Sequence, residues 1–191
     1  MATPARTRRW TRQEYDRLVE LGVLHEDEPI ELIAGELIVA EPKGSPHETA
    51  VGLTEEALRD AFGPHWVVRV GAPVALDNES EPEPDLAVVP GRWRDYREAH
   101  PSRPALVVEV AESSLTFDRN VKGSLYARAG VPDYWIVNLV DRALEVHRAP
   151  IRDAAAPFGW RYSSVRVLEP DAGEFPLARP AACVAVADLL P

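Results

Sequence analysis

The chain has 191 residues, of which 46% are hydrophobic and 27% are charged, as is ordinary for one globular domain with a single core. Its formal net charge of -10 argues against a protein that coats nucleic acid nonspecifically, because that mode depends on Lys and Arg neutralising phosphates. The lone Cys183 excludes an internal disulfide, and no leader pattern or membrane-length apolar run is present. We therefore expect one cytoplasmic domain over residues 1–191, with no membrane partner and a flexible segment at residues 1–9.

The first predicted elements are a helix and a hairpin. Thr11 and Glu14 form a capping box that opens an amphipathic helix, which is expected to end near Gly22. Two short apolar runs follow at 30–33 and 36–39 and flank a tight turn. This arrangement is typical of a β-hairpin.

A second helix and two strands are predicted next. Ser45 can cap a helix that continues toward Gly63. The runs 66–70 and 73–76 have compositions that favour β-structure, are separated by Gly71 and predict two strands. The acidic, proline-spaced stretch 79–84 then predicts a loop, because proline cannot donate a hydrogen bond to a strand ladder.

The second half of the chain alternates strands with one helix. A strand is expected at 84–89, and the continuous apolar run 105–110 predicts a central strand that is buried on both faces. The pattern at 118–129 is helical and ends at Gly130. Further strands are expected at 134–139, 144–148 and 160–168, followed by a short turn at 187–190.

Glu109 is the most informative residue, because it is a carboxylate inside the apolar run Leu-Val-Val-Glu-Val. Burying an ionised acid without compensation is costly or forces it to take up a proton. A divalent cation would offset that cost, with Asp85 as a second oxygen ligand and a main-chain carbonyl near Val110 as a third. The pattern therefore predicts a Mg²⁺ or Mn²⁺ site. The alternatives are that Glu109 is partly exposed or paired with an arginine, and that Asp85 is a turn residue.

Lysine occurs only at positions 43 and 122, since the chain otherwise uses arginine. An ammonium group has three freely directed donors and can approach a phosphate or a metal-bound water closely. Lys122 is therefore a candidate cationic partner of the two acids. The alternative is that Lys122 is solvated on the surface of its helix.

An ordered series of short motifs runs through most of the chain: Glu31-Leu32-Ile33-Ala34-Gly35-Glu36, Ser45-Pro46-His47, Glu83-Pro84-Asp85-Leu86, Val108-Glu109-Val110, Asp118-Arg119-Asn120-Val121-Lys122 and residues 125–137. Together these motifs resemble the Uma-two family of endonucleases, within the PD-(D/E)XK nuclease superfamily. The resemblance implies an α/β (α+β), restriction-endonuclease-like fold, with a mixed β-sheet flanked by helices. It also implies a nuclease activity.

One position departs from the superfamily pattern, which places an acid, any residue and a lysine on one strand. Ala111 stands where that lysine would be, and in the family resembled the lysine lies on the following helix, at the position of Lys122. Glu31, Glu36 and His47 match the family's early acidic and histidine positions. Either glutamate could complete the metal shell or hold a second ion, and His47 could contact phosphate or orient a carboxylate.

The function expected is magnesium-dependent hydrolysis of phosphodiester bonds in nucleic acid, most readily DNA. Asp85 and Glu109 would hold the metal with a main-chain ligand at Val110, and Lys122 would position the attacking water or neutralise developing charge. Two alternatives are a catalytically silent nuclease fold that serves as an interaction module, and a metal-dependent hydrolase of a small phosphorylated molecule. Fold analogy also suggests a homodimer.

Overall fold

The computed structural model describes residues 7–24, 29–40 and 42–191. It begins with a helix, a hairpin and a long second helix: α1 (Arg12–Glu20), β1 (Ile30–Ile33), β2 (Glu36–Val39) and α2 (Ser45–Phe62). Residues 1–6 of the predicted flexible segment lie outside the described residues, and residues 7–9 have no regular structure. No helix in the described ranges is both long enough and apolar enough to cross a bilayer.

The remaining elements are mainly strands, in the alternating order that the sequence predicts. They are β3 (Trp66–Val70), β4 (Leu86–Pro90), a 3₁₀ turn (Trp93–Tyr96), β5 (Leu106–Ala111), α3 (Leu115–Phe117), a π-helical turn (Asp118–Lys122), α4 (Gly123–Arg128), β6 (Asp133–Asn138), β7 (Ala143–Arg152), β8 (Trp160–Leu168), β9 (Gly173–Glu174), β10 (Val184–Ala185) and a 3₁₀ turn (Val186–Leu189).

Strands β3 to β8 form one six-stranded sheet in the order β3-β4-β5-β6-β7-β8. The central pair β5 and β6 is parallel, and the other neighbouring strands are antiparallel. A parallel pair needs a crossover, and the helical segment from α3 to α4 provides it. The prediction of a mixed sheet flanked by helices is confirmed.

The two faces of the sheet carry separate apolar clusters. Val108 and Val110 of β5 pack on the side of α2, whereas Val107 packs with Tyr126 of α4 on the opposite side. Because successive strand residues point to opposite faces, Glu109 shares the α4 face with Val107. The central strand therefore directs its one carboxylate toward the helical crossover.

Two local predictions are wrong. Residues 73–76 do not form a strand, because they face the proline-spaced stretch 79–84 and pair with it only through isolated bonds such as Val74 N–H to the Pro82 carbonyl, 2.9 Å. Ser45 is the first residue of α2 rather than its cap. The extended residue Gly44 occupies the cap position and supplies no side-chain hydrogen bond.

Candidate functional site

A cavity of about 610 Å³ opens where the hairpin, the start of α2, the ends of β4 and β5 and the π-helical turn meet. Ile38, Pro42 and Phe117 give part of its wall an apolar surface. Its charged lining consists of six carboxylates and two lysines: Glu31, Glu83, Asp85, Glu109, Glu112, Asp118, Lys43 and Lys122.

The register of the sheet brings Asp85 and Glu109 together. Leu86 of β4 pairs with Val108 of β5, so Asp85 just before the first strand lies beside Glu109 on the second. The Asp85 amide donates a hydrogen bond to Glu109 Oε2 at 3.3 Å. Both carboxylates are buried, and the structure therefore brings the two predicted metal ligands to one point.

Lys122 reaches the same point from the π-helical turn. Its Nζ lies 3.0 Å from Glu109 Oε1 and 3.3 Å from Glu31 Oε1. Lys122 is buried, so the alternative of a solvated lysine does not apply. π-Helical turns are rare in proteins, and those that occur often lie at functional sites. This turn carries Lys122 at its last position. The crossover therefore brings a lysine into contact with one of the two predicted metal ligands.

Asp85 is held by three donors from three parts of the fold. The Val110 amide donates to Oδ2 at 2.8 Å, His47 Nε2 lies 3.2 Å from the same oxygen, and Lys43 Nζ donates to Oδ1 at 2.7 Å. Burial acts to raise the pKa of Asp85, but the His47, Lys43 and Val110 contacts outweigh burial and lower the pKa to about 2. Asp85 is therefore an anion at neutral pH.

The pKa values of Glu109 and Lys122 are shifted in directions that indicate an excess of acidic groups at the site. Burial raises the pKa of Glu109 and outweighs the attraction of the Lys122 ammonium. Burial alone would lower the pKa of Lys122, but Glu109, Glu31 and Asp118 outweigh burial and raise it. Burial also raises the pKa of Asp118 to about 6. One ammonium group is thus shared among several acids, and a further cation would be favoured here.

The donor set fits a hard divalent ion. Glu31 Oε2 is buried and has no hydrogen-bond partner among residues 7–24, 29–40 and 42–191, which is costly for a carboxylate oxygen unless a cation approaches it. Carboxylate oxygens of Asp85, Glu109 and Glu31 are the ligands that Mg²⁺ and Mn²⁺ prefer. Within the described ranges no three acidic, histidine or cysteine side chains are already gathered as a metal cluster, and lysine ammonium groups contact these carboxylates instead.

The other predicted residues differ in where they lie. His47 and Glu31 line the cavity, but Glu36 is exposed at the turn end of β2 and does not. The prediction of Glu36 as a possible site residue is therefore not supported by its position. Val110 lines the cavity and uses its amide to hold Asp85, whereas the sequence argument concerned its carbonyl.

Three site residues were missed by the sequence argument. Lys43 contacts Asp85, and Tyr126 donates its hydroxyl hydrogen to Glu109 Oε1 at 2.7 Å. Asp118 lines the cavity and accepts from the Ser114 hydroxyl at 2.5 Å. The rarity of lysine in the chain marks Lys43, and the four-residue spacing from Lys122 to Tyr126 places both on one helical face.

The register of the mixed sheet and its helical crossover thus bring Asp85, just before β4, together with Glu109 of β5 and Lys122 at one cavity. A family model described as "Putative restriction endonuclease" (Uma2) matches residues 12–177. The chain belongs to this family, and the resemblance found in its sequence motifs is confirmed.

The fold also occurs in a solved structure. The crystal structure of "a putative nuclease belonging to DUF820" from Anabaena variabilis ATCC 29413 superposes with a TM-score of 0.65. The two chains are 17% identical, and the match covers 90% of this chain and 96% of that one. No curated protein matches the chain.

Proposed function

We propose that the chain is a metal-dependent endonuclease that hydrolyses phosphodiester bonds of nucleic acid, most readily DNA. The observation that carries the proposal is the convergence of Asp85, Glu109 and Lys122 at one end of the cavity, with contacts of about 3 Å between neighbours. Membership of a family described as restriction endonucleases supports the same reaction class.

Asp85 and Glu109 would hold Mg²⁺ or Mn²⁺, with Glu31 Oε2 and a main-chain oxygen near Val110 as further ligands. Such an ion supplies Lewis acidity to a bound phosphate and lowers the pKa of a bound water. Lys122, whose ammonium group lies 3.0 Å from Glu109 Oε1, would orient a water at the site or neutralise charge that develops on the phosphate. His47 fixes Asp85 through its Oδ2, so that the carboxylate is oriented before any ligand arrives.

The test is cleavage of plasmid DNA, single-stranded DNA and RNA by the purified protein with Mg²⁺ or Mn²⁺. Asp85→Ala, Glu109→Ala and Lys122→Ala should each lower the rate at least about 100-fold, as removal of a catalytic group usually does. Glu36→Ala is the matched control, because Glu36 is an exposed glutamate outside the cavity. Equal rates for all four variants and the parent chain would contradict the proposal.

A second candidate is a metal-dependent hydrolase of a small phosphorylated molecule. It is favoured by the acid-rich, concave lining, in which Lys43 and Lys122 face six carboxylates. Long nucleic acids gain affinity by placing several phosphates against cations, whereas a small substrate needs one or two. Turnover of a small phosphodiester such as bis(4-nitrophenyl) phosphate, without cleavage of DNA or RNA, would select this candidate.

A non-catalytic interaction module is the remaining alternative, and the alanine at position 111 of β5 keeps it open because the strand itself carries no lysine. Calorimetric titration with Mn²⁺ separates this alternative from the two enzymes. Absence of binding at millimolar Mn²⁺ would favour the module.

The homodimer stays a proposal. Strand β8 forms one edge of the sheet, and its Val165 and Val167 are exposed. Unpaired edge strands are common sites of association. Light scattering coupled to gel filtration measures the mass in solution, and a mass near 21 kDa at every concentration would contradict the dimer.

A further inference from the structure

Both lysines of the chain contact the carboxylates of the cavity, but they are held very differently. Lys122 is fixed in the π-helical turn, its side chain is 9% exposed, and it contacts two glutamates. Lys43 lies in the loop before α2, its side chain is 40% exposed, and among the described residues its ion pair is with Asp85. Lysine is a long, flexible side chain with a compact charge. Lys122 is therefore a built-in part of the site, whereas Lys43 is able to leave.

The two oxygens of Asp85 are unequal for the same reason. Oδ2 is held by the Val110 amide, which belongs to a central strand, and by His47 of α2. Oδ1 is held by Lys43, at 2.7 Å. An incoming cation can therefore take Oδ1 without breaking any contact of the sheet or of α2. It must, however, displace Lys43, because two positive charges at one oxygen repel each other strongly.

A displaced Lys43 still lines the cavity. Glu112, which follows β5, lies close to the Lys43 loop. The Glu112 Oε2 atom is 3.7 Å from the point where a Cβ on Gly44 would be. That carboxylate would be a partner for the ammonium group while no phosphate is present. A substrate phosphate entering the cavity offers the ammonium group another anionic partner, because a phosphodiester carries one negative charge shared by its non-bridging oxygens.

We propose that Lys43 is a displaceable cation, which neutralises Asp85 while the metal is absent, yields Oδ1 to the metal, and then binds an unbridged oxygen of the substrate phosphate. This inference rests on the proposed function and adds a phosphate-binding residue to it. Metal affinity and substrate affinity should therefore change in opposite directions when Lys43 is removed. Removing Lys43 strengthens metal binding and weakens substrate binding, whereas a residue that merely supports the fold would weaken both.

The first measurement is calorimetric titration of Mn²⁺ alone into the parent chain and Lys43→Met. Methionine keeps the unbranched apolar stem but cannot compete for Oδ1. We expect Mn²⁺ to bind Lys43→Met roughly three- to fivefold more tightly, which is the size of a partly exposed ion pair. Lys43→Arg restores the competing charge and should bind Mn²⁺ as the parent chain does.

The second measurement is steady-state cleavage of a fluorescent oligonucleotide at saturating Mn²⁺ and several salt concentrations. Lys43→Met should raise KM about fivefold and leave kcat within about twofold, because one phosphate contact is lost outside the reacting centre. The negative slope of log(kcat/KM) against log salt should become shallower by about one, the value for one phosphate contact. Lys43→Arg should restore both. Arg17→Met is the control for loss of charge alone, since Arg17 pairs with Glu20 on α1 and does not line the cavity.

The possible results distinguish a failure of the Lys43 inference from a failure of the proposed function. Unchanged or weaker Mn²⁺ binding by Lys43→Met overturns the inference and leaves the proposed function standing. Tighter Mn²⁺ binding with unchanged KM and unchanged salt slope overturns the phosphate contact. Failure of both proteins to bind millimolar Mn²⁺ contradicts the proposed function and the inference together.

Discussion

Replacing Glu109 with glutamine removes the ability of this buried side chain to ionise and keeps most of its contacts. The Oε1 atom of Glu109 accepts a hydrogen bond from Tyr126 and contacts Lys122, and a glutamine oxygen can accept both. The contact from the Asp85 amide to Oε2, at 3.3 Å, is lost, because the amide nitrogen of glutamine cannot accept a hydrogen bond. We expect Glu109→Gln to stabilise the metal-free protein at alkaline pH.

The magnitude follows from the pKa of Glu109, which burial raises to about 8 from an ordinary value of 4.5. Between these two pH values the folded chain holds a proton that the unfolded chain has released. The contribution of Glu109 to stability is therefore complete below pH 4.5 and is lost as the pH rises to about 8, by at most about 1.4 kcal/mol per pH unit. We expect a net advantage of roughly 2 kcal/mol for Glu109→Gln at pH 8, because the lost Asp85 contact and the weaker partner of Lys122 offset part of the gain.

The assay is urea unfolding in EDTA at pH 5 and pH 8, with Glu36→Gln as the exposed control. The stability of Glu109→Gln relative to the parent chain should be near zero at pH 5 and clearly positive at pH 8. Adding Mn²⁺ should then stabilise the parent chain more than the variant. An equal destabilisation of Glu109→Gln at both pH values would refute the view that Glu109 is a poorly compensated buried charge.

Three further substitutions test the surroundings of the site by urea unfolding. Lys122→Met leaves buried Glu31 and Glu109 without their cation and should cost roughly 3 kcal/mol without metal at pH 9, where Glu109 is ionised; a variant as stable as the parent chain would contradict the pairing. Tyr126→Phe removes one hydrogen bond and should cost about 1 kcal/mol, with DNA cleavage retained. Burial acts to raise the pKa of Glu145, but the nearby His147 and the hydrogen bonds from Arg119 and Asn138 outweigh it and lower the pKa to about 2. Arg119→Met should therefore cost about 1 kcal/mol at pH 7, and this cost should shrink as the pH falls from about 4.5 toward 2.

The secondary structure was predictable where the sequence pattern of a segment is enough to determine whether it forms a helix or a strand. The continuous apolar run that forms β5 is buried along its whole length, and the capping box at Thr11 opens α1 as expected. The strand predicted at 73–76 failed because its apolar pattern says nothing about a partner. The neighbouring stretch 79–84 contains prolines, which cannot complete a ladder.

The site was predictable where burial and charge conflict within one segment. Glu109 was found because an acid in an apolar run needs compensation, and Lys122 because lysine is rare in this chain. Lys43 is the other lysine of the chain, but no local sequence pattern indicates that it contacts Asp85, which is 42 positions away. Glu36 was placed in the candidate site by its motif. It lies two residues beyond the cavity-lining Ile38, or about 7 Å along the strand, and so remains outside.

The central claim is that Asp85 and Glu109 bind a divalent cation between adjacent strands. A crystal structure of the protein soaked in Mn²⁺ tests it directly, since the anomalous signal locates the ion without assumptions about its ligands. The account predicts a peak at bonding distance, about 2.0–2.3 Å, from Asp85 Oδ1 and a Glu109 oxygen, with Lys43 withdrawn from Asp85. A peak elsewhere, or none in this cavity while Lys43 and Lys122 keep their carboxylate contacts, would contradict the account.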